Sequence, residues 1–455
     1  MNEINAIAHK VIQEAMRLKT PLLSFIAVVA LLIYFPFSLR GDGTVLGHTK
    51  LLLLYSSMLL FALLAIQTMY LSTLSFSQEI KHKQFFLIDV KPIARWKFFV
   101  GKLWGLAILN LCLLVILGLI TVTTIHFFGY GKINPKQKKK FQNQFYTASA
   151  AAKFYFPEEE FEKDVESRYK RMAEEAKIDP NMAKDEAKQR VRNKLRQALQ
   201  YIPVGQGKVF IFKDFPKDLR KKENAEIRIR YKIYSPNATY GFRIRTKWIV
   251  GAYAKYSVTG ETEVGEFDEI SIPANAIDAN GNLEVLYINQ HNAAGSLFFP
   301  IEDGIEVLYP QGSFIANYAK FLFLIFIVLN LLSAISLFFA TFLSFPVAIL
   351  TSLFIFKLGI LLDFLREMAI TGADILVQER QSFLSFLYEQ YFVGLNMIVP
   401  NFSQYLAFEH ITTGRYIDWL TLAQAFIFLV IIDCGLLVAF GSYIFYRREV
   451  AKPLL

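Results

Sequence analysis

Ser77–Lys102 reads SQEIKHKQFFLIDVKPIARWKFFVGK, with two acids among six lysines and arginines and a break at Pro92. On either side stand apolar runs, Leu51 to Phe76 and Phe98 to Phe128. Each is longer than the roughly 20 residues a helix needs to cross a hydrocarbon core. A short charged segment between two such runs is a loop joining membrane helices. Four more runs fit the same description: Pro21 to Leu39, Phe314 to Ala340, Phe345 to Leu365 and Trp419 to Tyr446. The 455-residue chain is 54% hydrophobic and 19% charged, too apolar for a soluble protein of this size. The expected fold is therefore a polytopic α-helical membrane protein of about six transmembrane helices.

Charge sets the expected orientation. Lys10, Arg17 and Lys19 precede the first run, the opening segment adds its own bases, and Arg447, Arg448 and Lys452 follow the last. With six crossings, all three clusters fall on one side, which the positive-inside bias makes cytoplasmic together with both termini. In a two-membrane cell this is an inner, cytoplasmic-membrane protein. The net charge of +10 is spent flanking spans, so a nucleic-acid partner is not expected. Met1 to Thr20 shows no cleavable leader pattern, and insertion is expected to begin at the first span. Within residues 1–20, Ile4, Ile7, Val11, Ala15 and Leu18 recur at helical spacing, which predicts an amphipathic interfacial helix.

Residues 21–130 then hold the first three spans, and residues 131–310 form a hydrophilic insertion, extracytoplasmic in this topology. Its start, KINPKQKKK at Lys132–Lys140, reads as a solvated stalk. Residues 157–201 have helical composition broken at Asp179 and Pro180, an N-cap and first-turn pair, and so predict a helical hairpin. Residues 208–310 change to period two. Ile227, Ile229, Tyr231 and Ile233 alternate with Arg228, Arg230 and Lys232, and further strands are expected at Ala252 to Val258, Glu266 to Ile272 and Leu283 to Ile288. The insertion is thus an α+β domain ending in an antiparallel β-sandwich. Residues 311–455 return to the membrane, with 366–418 an aromatic, amphipathic segment at the outer interface or re-entrant.

Chemistry-bearing motifs are few. The Gly-Lys pairs at Gly101, Gly131 and Gly207 lack the Ser or Thr that would complete a phosphate-binding loop, so ATP hydrolysis by that machinery is excluded for this chain. No zinc spacing and no nucleophile elbow appear. The acids Glu261, Glu263, Glu266, Asp268 and Glu269 suit a solvated strand face better than a catalytic pair. Asn237 opens a glycosylation-type NAT triplet. Cys112 and Cys434 both fall within spans, so no disulfide is expected in the hydrophilic insertion. The chain is expected not to be an enzyme and to hold no cofactor. Lys357 and Asp433 stand near the middle of the fifth and sixth spans, where an unpaired charge costs on the order of 3 kcal/mol. They are expected to pair with each other or to line a substrate path.

Within Ser77–Lys102, Pro92 disfavours a helical Lys91, which predicts a short helix over Gln78 to Ile88 and a second from Ile93 into the third span. Glu79, the run KPIAR at Lys91–Arg95, and Gly101-Lys102 together resemble the coupling-helix region of permease subunits in type-2 ATP-binding-cassette (ABC) exporters. IAHKVIQEAMRLKTPL at Ile7–Leu22 is similar to the interface helix opening those permeases. VPNFSQYLAFEHITTGRYIDW at Val399–Trp419, with the later FYRREV, is similar to their C-terminal part. The resemblance covers residues 1–130 and 313–455, is nearest the permeases grouped with multicopper-enzyme maturation, and leaves the large insertion as a departure.

That resemblance implies a coupling helix at 77–97, with Glu79, Lys91, Pro92, Arg95 and Lys102 transmitting force from a separate cytoplasmic ATPase that carries ATP and magnesium. It also implies a second permease subunit, identical or paired. Two other functions fit the residues: a mechanical transducer that moves an extracytoplasmic partner through the inserted domain, and a scaffold binding envelope polymer through Trp248, Tyr253 and Tyr256.

Overall fold

A computed structural model describes residues 2–39, 44–81, 94–130, 145–175, 184–221, 225–236, 241–251, 255–290, 294–300, 304–376, 401–406 and 408–447. The chain divides into two compact units, a helical one (Met1–Tyr146 with Ser313–Leu455) and a second one (Thr147–Gly312). The expected insertion, 131–310, matches the second unit apart from its first residues.

The helical unit begins with α1 (Asn2–Arg17), whose Ala8, Val11 and Ala15 form a buried ridge. α2 (Thr20–Ser38), α3 (Val45–Lys81), α4 (Arg95–Ile125), α7 (Phe314–Ala340) and α10 (Trp419–Arg447) follow in this unit. These five are long and apolar enough to cross a membrane. The sixth expected span falls on α8 (Phe345–Leu376), whose apolar stretch Phe345–Leu361 is shorter than the rest. Beyond Leu361 the sequence brings in Asp363, Arg366 and Glu367, which ends the apolar window. α7 is the central helix, buried along most of its length against α3, α4, α8 and α10. Residues Phe426–Cys434 of α10 are wound as π-helix.

α1 lies against α4 because α4 offers two glycines one turn apart. A Cβ on Gly101 would stand 2.8 Å from the Cβ of Ile7, and one on Gly105 would stand 2.8 Å from the Ala8 carbonyl oxygen. Small residues at this spacing let helix backbones approach closely. The pair was legible as GKLWG, yet only its Gly-Lys was singled out by the sequence.

In the expected interfacial segment 366–418, residues 377–400 lie outside the described residues. Residues 401–406 and 408–418 are docked into the unit: Phe402 is fully buried against Phe356 and Gly359. Asn317 of α7 donates to the Arg415 carbonyl and accepts from the Ile417 amide, each at 2.8 Å. α9 (Phe408–Thr412) is a single short turn.

The second unit contains β1 (Thr147–Lys153), α5 (Glu158–Glu174), α6 (Lys184–Gln200), β2 (Tyr201–Ile202), β3 (Gly207–Phe212), β4 (Glu226–Lys232), β5 (Arg243–Val250), β6 (Tyr256–Glu263), β7 (Phe267–Pro273), β8 (Leu283–Ile288), β9 (Leu297–Phe298) and β10 (Ile305–Ser313). The expected hairpin is α5 and α6, packed through Phe161, Val165, Val191 and Leu195. Its break at Asp179 and Pro180 lies outside the described residues. The strands form one four-stranded sheet in the order β1-β10-β4-β7, another in the order β3-β8-β5-β6, and the pair β2-β9. One core joins the two larger sheets, with Ile227, Ile229 and Tyr231 from β4 meeting Ile244 and Trp248 from β5 and Tyr287 from β8. The period-two reading placed the β4 side chains inward correctly. Trp248 lies between Tyr231 and Tyr287, tilted to both, at ring separations of 4.6 and 4.7 Å, and burial pushes the Tyr231 hydroxyl up to about 12.

Candidate functional site

The residues of the expected coupling region do not all fall within the described chain. Lys91 and Pro92 lie outside it, as does most of the short helix expected over Gln78 to Ile88. Gln78 itself is no new helix start, because α3 runs unbroken through Lys81. The third-span helix begins at Arg95, after an extended Ala94.

What the structure does bring together is a sealed ion cluster. Glu79, on the last turns of α3, is 4% exposed, and Lys102, on the second turn of α4, is 0% exposed. Lys102 Nζ lies 2.8 Å from Glu79 Oε2 and donates to the Ser75 carbonyl oxygen at 2.8 Å. The ring of Phe98 lies 4.8 Å from the same ammonium. The contact with Oε2 is an ion contact and not an aligned hydrogen bond. On the other carboxylate oxygen, Lys10 of α1 donates at 2.8 Å. Burial pulls the Lys10 amine down, but the hydrogen bond and charge of Glu79 outweigh it and hold the group above its ordinary value. Lys97 pairs with Glu3 at 2.9 Å nearby.

The sequence alone pointed to Glu79 and Lys102 but not to Lys10, whose partner is 69 residues away. Two buried charges in contact cost desolvation that their attraction only partly returns, so the pair is poor at adding stability and good at fixing one geometry. The geometry fixed here is the convergence of α1, α3 and α4, at the two ends from which residues 82–93 depart.

Arg95 ties a fourth helix to the same place. Its Nη1 donates to the Phe445 carbonyl oxygen at 2.5 Å, and its guanidinium lies over the rings of Phe445 and Tyr446 at 5.4 and 5.3 Å. Beneath it, Phe76, Phe99 and Phe445 pack ring to ring at 5.2–6.3 Å. The end of α10 is thus fastened to the start of α4.

Lys357 and Asp433 are not brought together. Lys357 is exposed on α8 and Asp433 half-buried in the π-helical part of α10, with no ion pair between them among the described residues. The expected pair fails because α8 and α10 each pack principally on α7. A different cation of the helical unit is engaged: Lys320 of α7 donates to the Tyr416 hydroxyl and the Ile417 carbonyl oxygen at 2.8 and 2.9 Å and lies 3.9 Å from the Tyr416 ring centre.

In the β unit, the acids Glu261, Glu263 and Glu269 are occupied by Arg245, Arg243 and Arg228. Together with Glu266, Asp268 and Phe267, some of them line an open crevice of about 350 Å³. Trp248 is core and therefore unavailable for stacking on a polymer, Tyr256 bonds Asn275 at 2.5 Å, and Tyr253 and Asn237 lie outside the described residues. Among the described residues, no three His, Cys, Asp or Glu side chains converge as a metal site.

No known protein family matches the chain, and no curated protein and no solved structure matches it.

Proposed function

We propose that this chain is the membrane-spanning, non-catalytic subunit of a type-2 ABC export system, driven by ATP that a separate cytoplasmic chain hydrolyses, and working as a pair of membrane subunits. The observation that carries the proposal is the buried Glu79–Lys102 pair. It joins the two helices that flank residues 82–93 and, through Lys10, adds α1 to the same joint. Arg95 extends the joint to α10. Force applied to the segment between Lys81 and Ala94 would therefore reach four helices as a block, which is what a subunit without its own ATPase requires. The resemblance of Glu79, KPIAR and Gly-Lys to a coupling region supports the same reading.

A second reading keeps the motor and changes the load: the chain works an extracytoplasmic partner mechanically through the β unit. The β unit favours it, since it is a compact body with a core of its own and is much larger than a connecting loop. The envelope-polymer scaffold is weaker, having lost Trp248 to the core.

The test is gentle purification from native membranes followed by mass spectrometry. The proposal expects a stoichiometric soluble chain bearing a phosphate-binding loop, lost or depleted when Arg95 is changed to Ala in a protein that still folds. Recovery of the folded chain without such a companion contradicts it.

A further inference from the structure

The buried polar residues of the helical unit fall on facing stripes. On α3, Ser57, Thr68, Ser72, Ser75 and Glu79 share one face, the last four at spacings of four, three and four; on α4, Lys102, Asn110 and Thr121 do the same. All are buried. From Ser57 to Glu79 the stripe runs about 33 Å at the rise of an α-helix, comparable to the thickness of a hydrocarbon core.

A bonded chain occupies the half nearest Glu79. Thr68 donates to Asn110 Oδ1 at 3.0 Å, Ser72 to the Thr68 carbonyl at 2.6 Å, Ser75 to the Ser72 carbonyl at 3.0 Å, and Lys102 to the Ser75 carbonyl. Lys102 meets Glu79, which meets the partly exposed Lys10.

At the edge of that chain two amides are left without protein partners. Both amide atoms of Gln67 and Nδ2 of Asn110 are buried with no hydrogen-bond partner. The Tyr318 hydroxyl of α7 sits within hydrogen-bonding reach of Ser57 and Thr121. Hydroxyls in a dry apolar bundle ordinarily satisfy themselves on the carbonyl one turn back, as Thr73, Thr121 and Ser333 do here. A primary amide can donate by that route, as Asn330 does to the Phe326 carbonyl at 2.8 Å, but its oxygen cannot accept by it, and Gln67, which uses neither atom, is left to a guest that both donates and accepts. Water meets that need, as do small neutral molecules with amide or hydroxyl groups.

We propose that the interior of the helical unit between α3, α4 and α7 is a hydrated polar cleft that binds water and small neutral hydrogen-bonding molecules, with the Glu79–Lys102 pair at one end. The guest is neutral because the stripe's only charges, Glu79 and Lys102, already face each other at that end. The cleft is assigned from orphaned side chains alone and does not depend on what drives the protein.

The chain carries its own control, since Cys112, two residues from Asn110, lies exposed on the outer surface of α4 where lipid would cover it. Gln67→Cys and Asn110→Cys are made with Cys112 and Cys434 replaced by Ala, and compared with Cys112 kept alone, all in native membranes. The probe is a small aqueous methanethiosulfonate, which reacts only with thiolate. Thiols at 67 and 110 should react at least about tenfold faster than Cys112, the change in thiolate fraction for one unit of thiol pKa. Equal or slower reaction overturns the cleft. Should either variant fail to fold, hydroxyl-radical labelling of the unaltered protein decides: bound water should oxidise Tyr318 but spare the equally buried Phe321, and protection of both contradicts the proposal.

Discussion

The two units place their charges differently. In the β unit, arginines face glutamates across neighbouring strands, as Arg243 does Glu263 and Arg245 does Glu261, directly opposite in the β5–β6 register. The pairs on β5 and β6 stand at the surface, the Arg245 side chain being 85% exposed, while those of Arg228 and Arg230 on β4, at 5% and 16%, are covered. In the helical unit the decisive charges are sealed between helices. Surface pairs in a sheet steer register and solubility for little energy, whereas a sealed pair commits helices to one arrangement. The β unit owes its stability to an apolar core, and the helical unit spends a buried ion cluster on holding a joint.

The largest test of that contrast is Glu79→Ala, which leaves Lys102 buried without its counter-charge. The expected loss is about 3–5 kcal/mol in thermal or denaturant unfolding of the detergent-solubilised protein. Adding Lys102→Met should restore much of it, and additive losses would show that the two residues act separately. Next comes Gly105→Val, which would drive a side chain into the Ala8 backbone and Val11. Overpacking of this kind costs about 1–3 kcal/mol. Its readout is faster tryptic cleavage at Arg17 and Lys19 as α1 loosens.

A pH effect is expected in the β unit. Burial pulls the Lys208 amine down to about 8, while its unfolded value is about 10.4. Between those values the unfolded chain binds the extra proton, so stability rises as pH increases from about 8 to about 10 and is level below 8. Lys208→Met should flatten that rise, as followed by unfolding of the β unit across the pH range. The smallest effect is expected for Arg245→Ala, within about 1 kcal/mol and shrinking further with added salt. A large loss there would erase the distinction between the two units.

Much of this architecture was legible because it rests on periodicity. Apolar runs marked the long apolar helices, and alternation marked β4 with the correct inward face. Arg228 shows the limit of alternation: it lies on the outward face, yet Ser149 of β1 and Glu269 of β7 cover it. Covering of that sort depends on the sheet order β1-β10-β4-β7, which no local pattern encodes. For the same reason the pairings of Lys10, Lys320 and Asn317 went unread, their partners being 69 to 100 residues distant. The α3 stripe of Ser57, Thr68, Ser72, Ser75 and Glu79 was different. Its spacing was available in the sequence, and only the strength of the surrounding apolar signal hid it. Lys357 and Asp433 were matched by depth, but depth is one coordinate, and the helices that bear them turn to α7.

The claim that the Glu79–Lys102 joint takes force from a separate ATPase can be tested directly at Gln78, which is exposed one residue from the cluster. A photo-crosslinking residue is placed there and activated in native membranes with and without ATP, and the adducts are identified by mass spectrometry. The account predicts an adduct with a soluble chain bearing a phosphate-binding loop, in a yield that changes with nucleotide. Adducts with lipid alone, in a yield indifferent to ATP, would contradict it.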